Sequence, residues 1–336
     1  MKAFIIRSKG IDNNEIEDVP IPKLSKDDAL IKVKMVGVHP MDFSMAEEMS
    51  THGQDLKPFP HIPGEEISGT VELVHDNNSI KKGQRVIVYH RIFDNSCDLC
   101  KRGMENLCRN GGRFGVNDNG GFAEYMRVPV RNLIPIPDSL SWEKATCFPV
   151  SFITPYHALK KAGITQGDTI AIFGATGNTG IFALQIAKYL GATTFAISRE
   201  SSDWLKDYGA DYIFDPRESR EKIAQLTEDK MCDYVLDPIG ALTFNLSLSL
   251  TGALGKWITY GETTGSDLKV NVISLYRYEK SLVGSRGGTR SELEFSVKQF
   301  QDIKVKIWKR YKFENIKDAI KVAGTDHKEG KILVEF

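Results

Sequence analysis

The feature that most restricts the fold of this 336-residue chain is a strand–turn–helix segment in its second half. The run "DTIAIF" predicts a short buried strand, and "TGIFALQIAKYLG" has apolar residues at helical spacing. Between them lies the glycine-rich turn "FGATGNTGIF", and a second strand, "TTFAIS", follows the helix. Strand–helix alternation at this rhythm indicates a parallel sheet with helices packed on it.

The alternation continues to about residue 260. Helical "SSDWLKDYG" and "SREKIAQLT" separate the strand-like runs "DYIFD", "DYVLD" and "GKWITYG", which together predict a doubly wound α/β domain. The first 130 residues are different, because Gly, Pro, Asn and Asp separate Val- and Ile-rich runs there. They predict a mostly antiparallel β domain. We expect the last strand, "GKILVEF", to return to that first domain.

The glycine-rich turn suits the phosphates of a dinucleotide. Gly177 lets the backbone approach a pyrophosphate, and Gly180 lets the helix pack closely on the strand. Gly174 supplies the tight turn, since alanine stands at the first motif position. The start of the helix adds unpaired N–H groups and a favourable dipole. The predicted cofactor-binding residues here are Gly174, Ala175, Thr176, Gly177, Asn178, Thr179 and Gly180.

The residues after the second strand indicate which cofactor binds. An NAD site usually has an acidic residue roughly 20 positions after the turn, to hold the ribose hydroxyls. Here Ser198 and Arg199 stand at the strand end, with Glu200 as the acidic competitor. A hydroxyl and a guanidinium suit a 2′-phosphate better, so we expect NADP(H) to be favoured over NAD(H).

Composition excludes several classes of partner. Lys plus Arg and Asp plus Glu both number 44, so no basic excess favours nucleic acid. No segment approaches the roughly 20 apolar residues of a membrane span. Five cysteines, an odd number and mostly clustered, do not indicate a disulfide framework. We expect a cytoplasmic protein that acts on a small molecule.

Three of the cysteines lie in "FDNSCDLCKRGMENLC", residues 93 to 108. Their spacing is typical of metal ligation, although a tetrahedral site needs a fourth ligand. Free thiols, or a redox pair formed by Cys97 and Cys100, remain open as alternatives.

Several motifs spread over nearly the whole chain carry a family resemblance. They include "GVHPMD", "IPGEEISGTV", "GGFAEY", "ITPYHAL", "FGATGNTG" and "GKILVEF". With them the chain resembles the medium-chain dehydrogenase/reductases, which include zinc alcohol dehydrogenases and quinone oxidoreductases. The resemblance implies a GroES-like catalytic domain, residues 1–150 with 286–336, whose metal lobe is 90–112. It also implies a Rossmann cofactor domain, residues 151–285, and an active site in the cleft between the domains.

The same resemblance supplies the missing ligand of the cysteine loop. Zinc members of the family space four cysteines as Cys-x2-Cys-x2-Cys-x7-Cys. In this chain Cys97, Cys100 and Cys108 occupy the last three places and Asp94 the first. Carboxylate is an acceptable zinc ligand, and four protein ligands make a closed, structural site. Glu105 and Asp98 are alternatives outside the family's register.

The usual ligands of a catalytic zinc are all changed. His39 stands at the place of the first Cys, Glu65 at the place of the His, and Val150 at the later Cys. One hypothesis is chemistry without a catalytic metal, as in the quinone oxidoreductases and enoyl-thioester reductases of the family. The other is an unusual metal site of His39, Glu65 and Glu66, serving an alcohol or aldehyde dehydrogenase.

Hydride transfer to an activated C=C or carbonyl group is the reaction we expect, on an enone, quinone or enoyl thioester. His39 is the candidate proton or hydrogen-bond donor. By resemblance, Thr154 packs on the nicotinamide, and Tyr260, Gly261 and Ser285 line its far side. The resemblance also implies a homodimer or homotetramer. A chain that binds NADPH without catalysis is a further alternative.

Overall fold

A computed structural model describes residues 1–49, 59–75, 79–199, 202–325 and 329–336. It divides the chain into two compact units, Met1–Val150 with Thr289–Phe336 and Ser151–Gly288. In the part that it describes, no helix is both long enough and apolar enough to cross a membrane.

Strands and helices occur in both units. The strands are β1 (Lys2–Ile5), β2 (Glu15–Asp18), β3 (Asp28–Val38), β4 (Glu66–Val74), β5 (Arg85–Val88), β6 (Arg91–Ile92), β7 (Gly112–Arg113), β8 (Tyr125–Pro129), β9 (Leu133–Pro135), β10 (Thr169–Phe173), β11 (Thr193–Ile197), β12 (Tyr212–Phe214), β13 (Cys232–Leu236), β14 (Thr251–Thr259), β15 (Ser281–Gly284), β16 (Ile307–Lys312) and β17 (Lys331–Glu335). The α-helices are α1 (Pro40–Glu48), α2 (Asp98–Lys101), α3 (Trp142–Cys147), α4 (Ile153–Ala162), α5 (Gly180–Tyr189), α6 (Pro216–Leu226), α7 (Phe244–Leu250), α8 (Val272–Tyr276), α9 (Arg290–Gln299) and α10 (Ile316–Ala323).

The larger unit is built on one sheet with the order β16-β17-β3-β4-β5-β9, and β8 also pairs with β3. Its pairings are antiparallel apart from β16 with β17. The long strand β3 is buried along most of its length, and Ile31, Val33 and Val36 belong to the core. The last strand, β17, pairs with β3, as we expected, so the end of the chain completes the sheet.

The smaller unit is a parallel sheet with the strand order β12-β11-β10-β13-β14-β15. The order reverses between β10 and β13, which creates the switch point where α/β sheets bind ligands. The predicted fold class, a doubly wound Rossmann sheet with a mostly β GroES-like domain, is confirmed.

Two local predictions differ from the structure. The segment predicted as an ordinary helix after β11 is a 3₁₀ helix, Asp203–Tyr208, which Gly209 ends in a left-handed conformation. Such tighter windings are typical of short connecting segments. The segment after β3 had no predicted helix, yet α1 begins there. Its start is favoured by Pro40 in the first turn and by Asp42, whose carboxylate accepts a hydrogen bond from the N–H of His39.

Candidate functional site

The glycine-rich turn leaves the carboxyl end of β10 and leads directly into α5. Gly174 adopts a φ of 65°, and its carbonyl oxygen accepts a hydrogen bond of 3.0 Å from the N–H of Gly177. A Cβ on Gly180 would collide with that same carbonyl oxygen, so only glycine permits this approach of helix to strand. The predicted residues 174–180 therefore form one continuous backbone cradle at the switch point of the sheet.

Ser198 and Arg199 lie at the same sheet edge. Phe173 and Ile197 are direct partners in the ladder of β10 and β11, so both strands end at one level. Ser198 donates its N–H to the carbonyl of Phe214 at 3.0 Å, and Arg199 is exposed. Glu200, the acidic competitor, lies outside the described residues.

Two further strands bring polar groups to this edge. Tyr260 and Gly261 follow β14, and Ser285 follows β15 with its N–H bonded to the carbonyl of Thr259 at 2.8 Å. Burial raises the pKa of the Tyr260 hydroxyl, which therefore stays protonated. The buried hydroxyl of Ser285 has no hydrogen-bond partner among the described residues.

Thr154 is half-buried in the first turn of α4, a helix that contacts α5 and β14.

Sequence reasoning missed Asp237, which follows β13 and is fully buried. Its Oδ1 accepts bonds from the N–H of Ile239 at 3.0 Å and from the Thr243 hydroxyl at 2.9 Å, while its Oδ2 has no bond within the described part of the chain. The glycine cradle and the unpartnered polar atoms fit a bound dinucleotide.

The four predicted metal ligands converge in the lobe that contains α2. The ligand atoms of Asp94, Cys97, Cys100 and Cys108 all lie within 4.8 Å of one another. Oδ1 of Asp94 is 3.4 Å from both the Cys100 and the Cys108 sulfur, and the Cys97 and Cys108 sulfurs are 3.9 Å apart. Tetrahedral zinc with Zn–S bonds of about 2.3 Å separates two sulfurs by roughly 3.8 Å. These four side chains therefore fit a closed zinc site.

Other acidic residues of the lobe have different roles. Asp98 pairs with Arg109 at 2.6 Å, and Glu105 accepts a bond from the backbone N–H of Arg290. The carboxylate of Asp94 instead accepts bonds from Ser96 and Asn110, which hold the pKa of Asp94 well below its usual range. Asp94 is thus the carboxylate that is positioned and ionised for a cation.

His39 lies in a buried cluster of charges in the larger unit. Its Nε2 is 3.1 Å from the Glu66 carboxylate and 3.2 Å from the ammonium of Lys331. Lys331 forms an ion pair with Glu66, and both side chains are fully buried. Burial alone would raise the pKa of Glu66, but the charges of Lys331 and His39 outweigh it and lower that pKa. Lys331 lies in the closing "GKILVEF" run, where its charge directly before the apolar residues 332–334 was the available signal.

Glu65 forms a second buried pair. Its carboxylate accepts a bond of 3.2 Å from Arg113, and both side chains are 8% exposed. Arg113 also directs Nη2 at the sulfur of Met41, 3.0 Å away. No sequence motif connected Arg113, on the short strand β7, with Glu65.

Asp42 completes the cluster and is fully buried. Burial raises the pKa of the Asp42 carboxyl to about 7, against the opposing charge of His39. The charge of Glu65 also raises the pKa of Asp42, and the charge of Lys331 lowers it.

The residues proposed for a second metal do not fit one. In the described ranges, the Asp94 set is the only group of three or more His, Cys, Asp or Glu side chains with converging ligand atoms. Lys331 forms an ion pair with Glu66, and Arg113 forms one with Glu65, so a cationic side chain already neutralises each carboxylate. Cys147, three residues before Val150, directs its thiol at the Glu143 carbonyl of its own helix.

Comparison with known proteins places this architecture among dehydrogenases. Residues 25–138 match the alcohol dehydrogenase GroES-like domain, and 179–302 match zinc-binding dehydrogenase. An alcohol dehydrogenase of Geobacillus stearothermophilus is 37% identical over 83% of each chain. The acryloyl-coenzyme A reductase of Sulfurisphaera tokodaii is 29% identical over 100% of both chains. A thermostable alcohol dehydrogenase from Pyrobaculum aerophilum superimposes with a TM-score of 0.91, at 30% identity over 100% of this chain and 99% of that one.

Proposed function

Because this chain belongs to the medium-chain dehydrogenase/reductase family of NAD(P)-dependent oxidoreductases, we propose that it reduces an activated C=C or carbonyl group without a catalytic zinc. The substrate is an enone, a quinone or an enoyl thioester. One observation carries the proposal: the carboxylates of Glu65 and Glu66 are paired with Arg113 and Lys331. The name of the acryloyl-coenzyme A reductase is consistent with an enoyl thioester.

Residues 174–180 would hold the cofactor, whose chemistry would be to supply a hydride, two electrons with one proton, for the β-carbon of the acceptor. The π electrons of the substrate's C=C bond then form a new double bond between the α-carbon and the carbonyl carbon. The π electrons of the carbonyl group move to its oxygen, which gives an enolate. The enolate takes a proton at its α-carbon to complete the reduction. The protein's tasks are to orient the substrate, to stabilise the oxygen and to provide that proton.

His39 is the proposed proton donor of the site. It is half-buried, whereas its neighbours Glu66 and Lys331 are inaccessible to solvent. Glu66 orients the ring through Nε2 and Lys331 holds Glu66 ionised. His39 thus sits at the boundary between the buried charges and any bound substrate.

We propose NADP(H) as the favoured cofactor, with Ser198 and Arg199 at the ribose 2′-phosphate. The exposed guanidinium of Arg199 has the charge and the reach to pair with a phosphate group.

We propose one structural zinc, held by Asp94, Cys97, Cys100 and Cys108, which stabilises the lobe. A cytoplasmic location suits the five free cysteines, because thiols stay reduced there.

A homo-oligomer is also part of the proposal. Strand β15 ends the parallel sheet, so one row of its backbone groups is available to another strand. Large apolar side chains are exposed on β15, where Leu282 is 40% exposed, and on the preceding helix α8, where Val272 is 65% and Tyr276 66% exposed. A second copy of the chain, pairing through β15, would cover them.

Parallel assays test the proposed reaction. Purified protein is given NADPH with an enone, a quinone and an enoyl thioester, and NADP⁺ with a panel of simple alcohols. We expect at least one activated acceptor to be reduced faster than any alcohol is oxidised, with no loss of rate after exposure to a chelator that leaves the lobe zinc in place. Chelator-sensitive alcohol oxidation would favour the metal-dependent dehydrogenase that uses His39, Glu65 and Glu66. Tight NADPH binding without turnover on the whole panel would favour a non-catalytic protein.

A further inference from the structure

Arg113 is a buried cation whose hydrogen-bonding capacity is only partly used. Nη1 donates to Glu65 at 3.2 Å, and Nη2 faces the thioether sulfur of Met41 at 3.0 Å, which is a weak acceptor. Its Nε is buried and has no partner among the described residues. A guanidinium has five N–H donors in a rigid plane, and the pair with Glu65 involves one of them at this distance. Because Nε has no accessible surface, the second N–H groups of Nη1 and Nη2 are the donors that remain for an oxygen atom that the protein itself does not supply.

The charges around Arg113 suit an oxygen that becomes negative only during the reaction. Glu65 neutralises the guanidinium at rest, and Lys331 neutralises the adjacent Glu66. A neutral carbonyl therefore meets little net charge when it binds. The enolate oxygen carries a full charge, and buried donors interact with it far more strongly than they would in water. Such a site binds the transition state better than the substrate, which is the requirement for catalysis.

We infer that Arg113 donates a hydrogen bond to the carbonyl oxygen of the substrate and stabilises the enolate formed by hydride transfer. Arg113 thus performs the electrostatic task that a Lewis-acid metal would perform, and Glu65 positions its guanidinium. The inference rests on the proposed reduction of an activated carbonyl compound, whose residues it extends by one catalytic group. Met41, which Arg113 contacts, lies in the first turn of α1, and His39 is the residue directly before that helix. Arg113 therefore contacts the end of α1 at which His39 lies.

A variant without either charge tests the inference without leaving a buried charge unpaired. The double substitution Glu65→Gln and Arg113→Gln replaces the ion pair with two neutral amides. We expect it to fold and to bind NADPH as the parent does, while kcat for the best acceptor falls about 100-fold or more and KM changes much less. Arg7→Gln with Glu17→Gln, which removes an exposed pair of 2.7 Å, is the control. Arg113→Lys keeps the charge but not the planar donors, and we expect it to recover part of kcat.

A binding measurement separates this inference from the proposed reaction. We expect p-nitrophenolate, a stable aromatic oxyanion, to bind the parent in the presence of NADP⁺ at least tenfold more tightly than it binds the double variant, as its absorbance reports. Equal binding to both proteins, no binding to the parent, or a folded double variant that keeps kcat within about fivefold would each overturn the role of Arg113. A parent that binds the phenolate through Arg113 but reduces no acceptor would instead contradict the proposed reaction alone.

Discussion

At the residue scale, the larger unit keeps several ionisable side chains away from water by pairing them. Glu66 with Lys331 and Glu65 with Arg113 are the two pairs, and each is inaccessible or nearly so. Two buried charges cost much desolvation energy, which their mutual attraction largely offsets. Removing one partner therefore costs more stability than removing both.

Lys331→Met tests this balance. It leaves the Glu66 carboxylate buried and unpaired, and we expect the free energy of unfolding to fall by about 3–5 kcal/mol. Urea denaturation gives the value. Lys34→Met, which breaks a more exposed contact of 3.2 Å with Glu335, is the matched control and should change stability by less than about 1 kcal/mol. The double variant with Glu66→Gln should recover most of the loss, and equal losses in all three proteins would contradict the pairing.

Asp42 makes stability depend on pH. Its pKa is raised from 3.8 to about 7 in the folded protein, so the native state holds this proton more strongly than the unfolded state. The contribution is fully present below about pH 4 and is lost as pH rises through 7. Asp42→Asn keeps an oxygen for the N–H of His39 but cannot titrate. Relative to this variant, we expect the parent to lose about 2–4 kcal/mol of unfolding free energy between these pH values. A difference that stays constant across that range would show that Asp42 titrates normally.

Arg199 carries the proposed cofactor preference. We expect NADPH to bind the parent at least tenfold more tightly than NADH, because the guanidinium pairs with the 2′-phosphate. Arg199→Asp replaces that attraction with repulsion and should narrow or invert the difference, measured by fluorescence titration of both nucleotides. Arg217→Asp, at the start of α6 and paired with Asp215, controls for the change in net charge. Equal affinities of the parent for the two nucleotides would exclude the preference.

At the scale of elements, local polar bonds connect the segments of the lobe around α2. The carboxylate of Asp94 accepts bonds from both Ser96, which precedes α2 in the sequence, and Asn110, which follows it. A closed metal site adds to this cross-link, because binding energy at such a site becomes folding energy.

Asp94→Ala and Asp98→Ala form a matched pair of variants in this lobe. The first removes a proposed ligand, and we expect zinc to fall from one per chain to well below one in protein purified without chelator. The second removes only the contact with Arg109, so its zinc content should equal that of the parent. Mass spectrometry of the metal content measures both. A parent that contains no zinc would show that the lobe is held by its hydrogen bonds and thiols alone.

At the scale of the whole molecule, the proposed dimer forms through pairing of the edge strand β15 with a second copy of the chain. We expect Leu282→Lys to convert a dimer into a monomer, since a buried lysine at a paired edge leaves an unpaired charge. Light scattering after size-exclusion chromatography measures the mass. Leu226→Lys on α6, where the leucine is 47% exposed, is the control and should not alter it. A parent that is monomeric at all concentrations would contradict the assembly.

What the sequence predicted well is local. The alternation from β10 to β14 and the turn between β10 and α5 depend on short spacings, which backbone geometry converts directly into proximity. The same holds for the convergence of Asp94 with the three cysteines, whose role as zinc ligands stays a prediction. Helix α1 was not predicted, although Pro40 and Asp42 stand where they favour the start of a helix.

The sequence by itself determined the two types of sheet, the position of the nucleotide turn and the cysteine lobe, because periodicity and short-range motifs encode them. Only the tertiary structure decided what surrounds His39. Lys331 reaches it across 292 residues of sequence, and Arg113 reaches Glu65 across 48, through pairing of β17 with β3 and the placement of β7. A charge beside an apolar run does not specify its partner, since long-range contacts arise only when the chain has folded. The cysteines that stand out in the sequence lie together in the lobe around α2, while the proposed chemistry depends on pairs that no short motif contains.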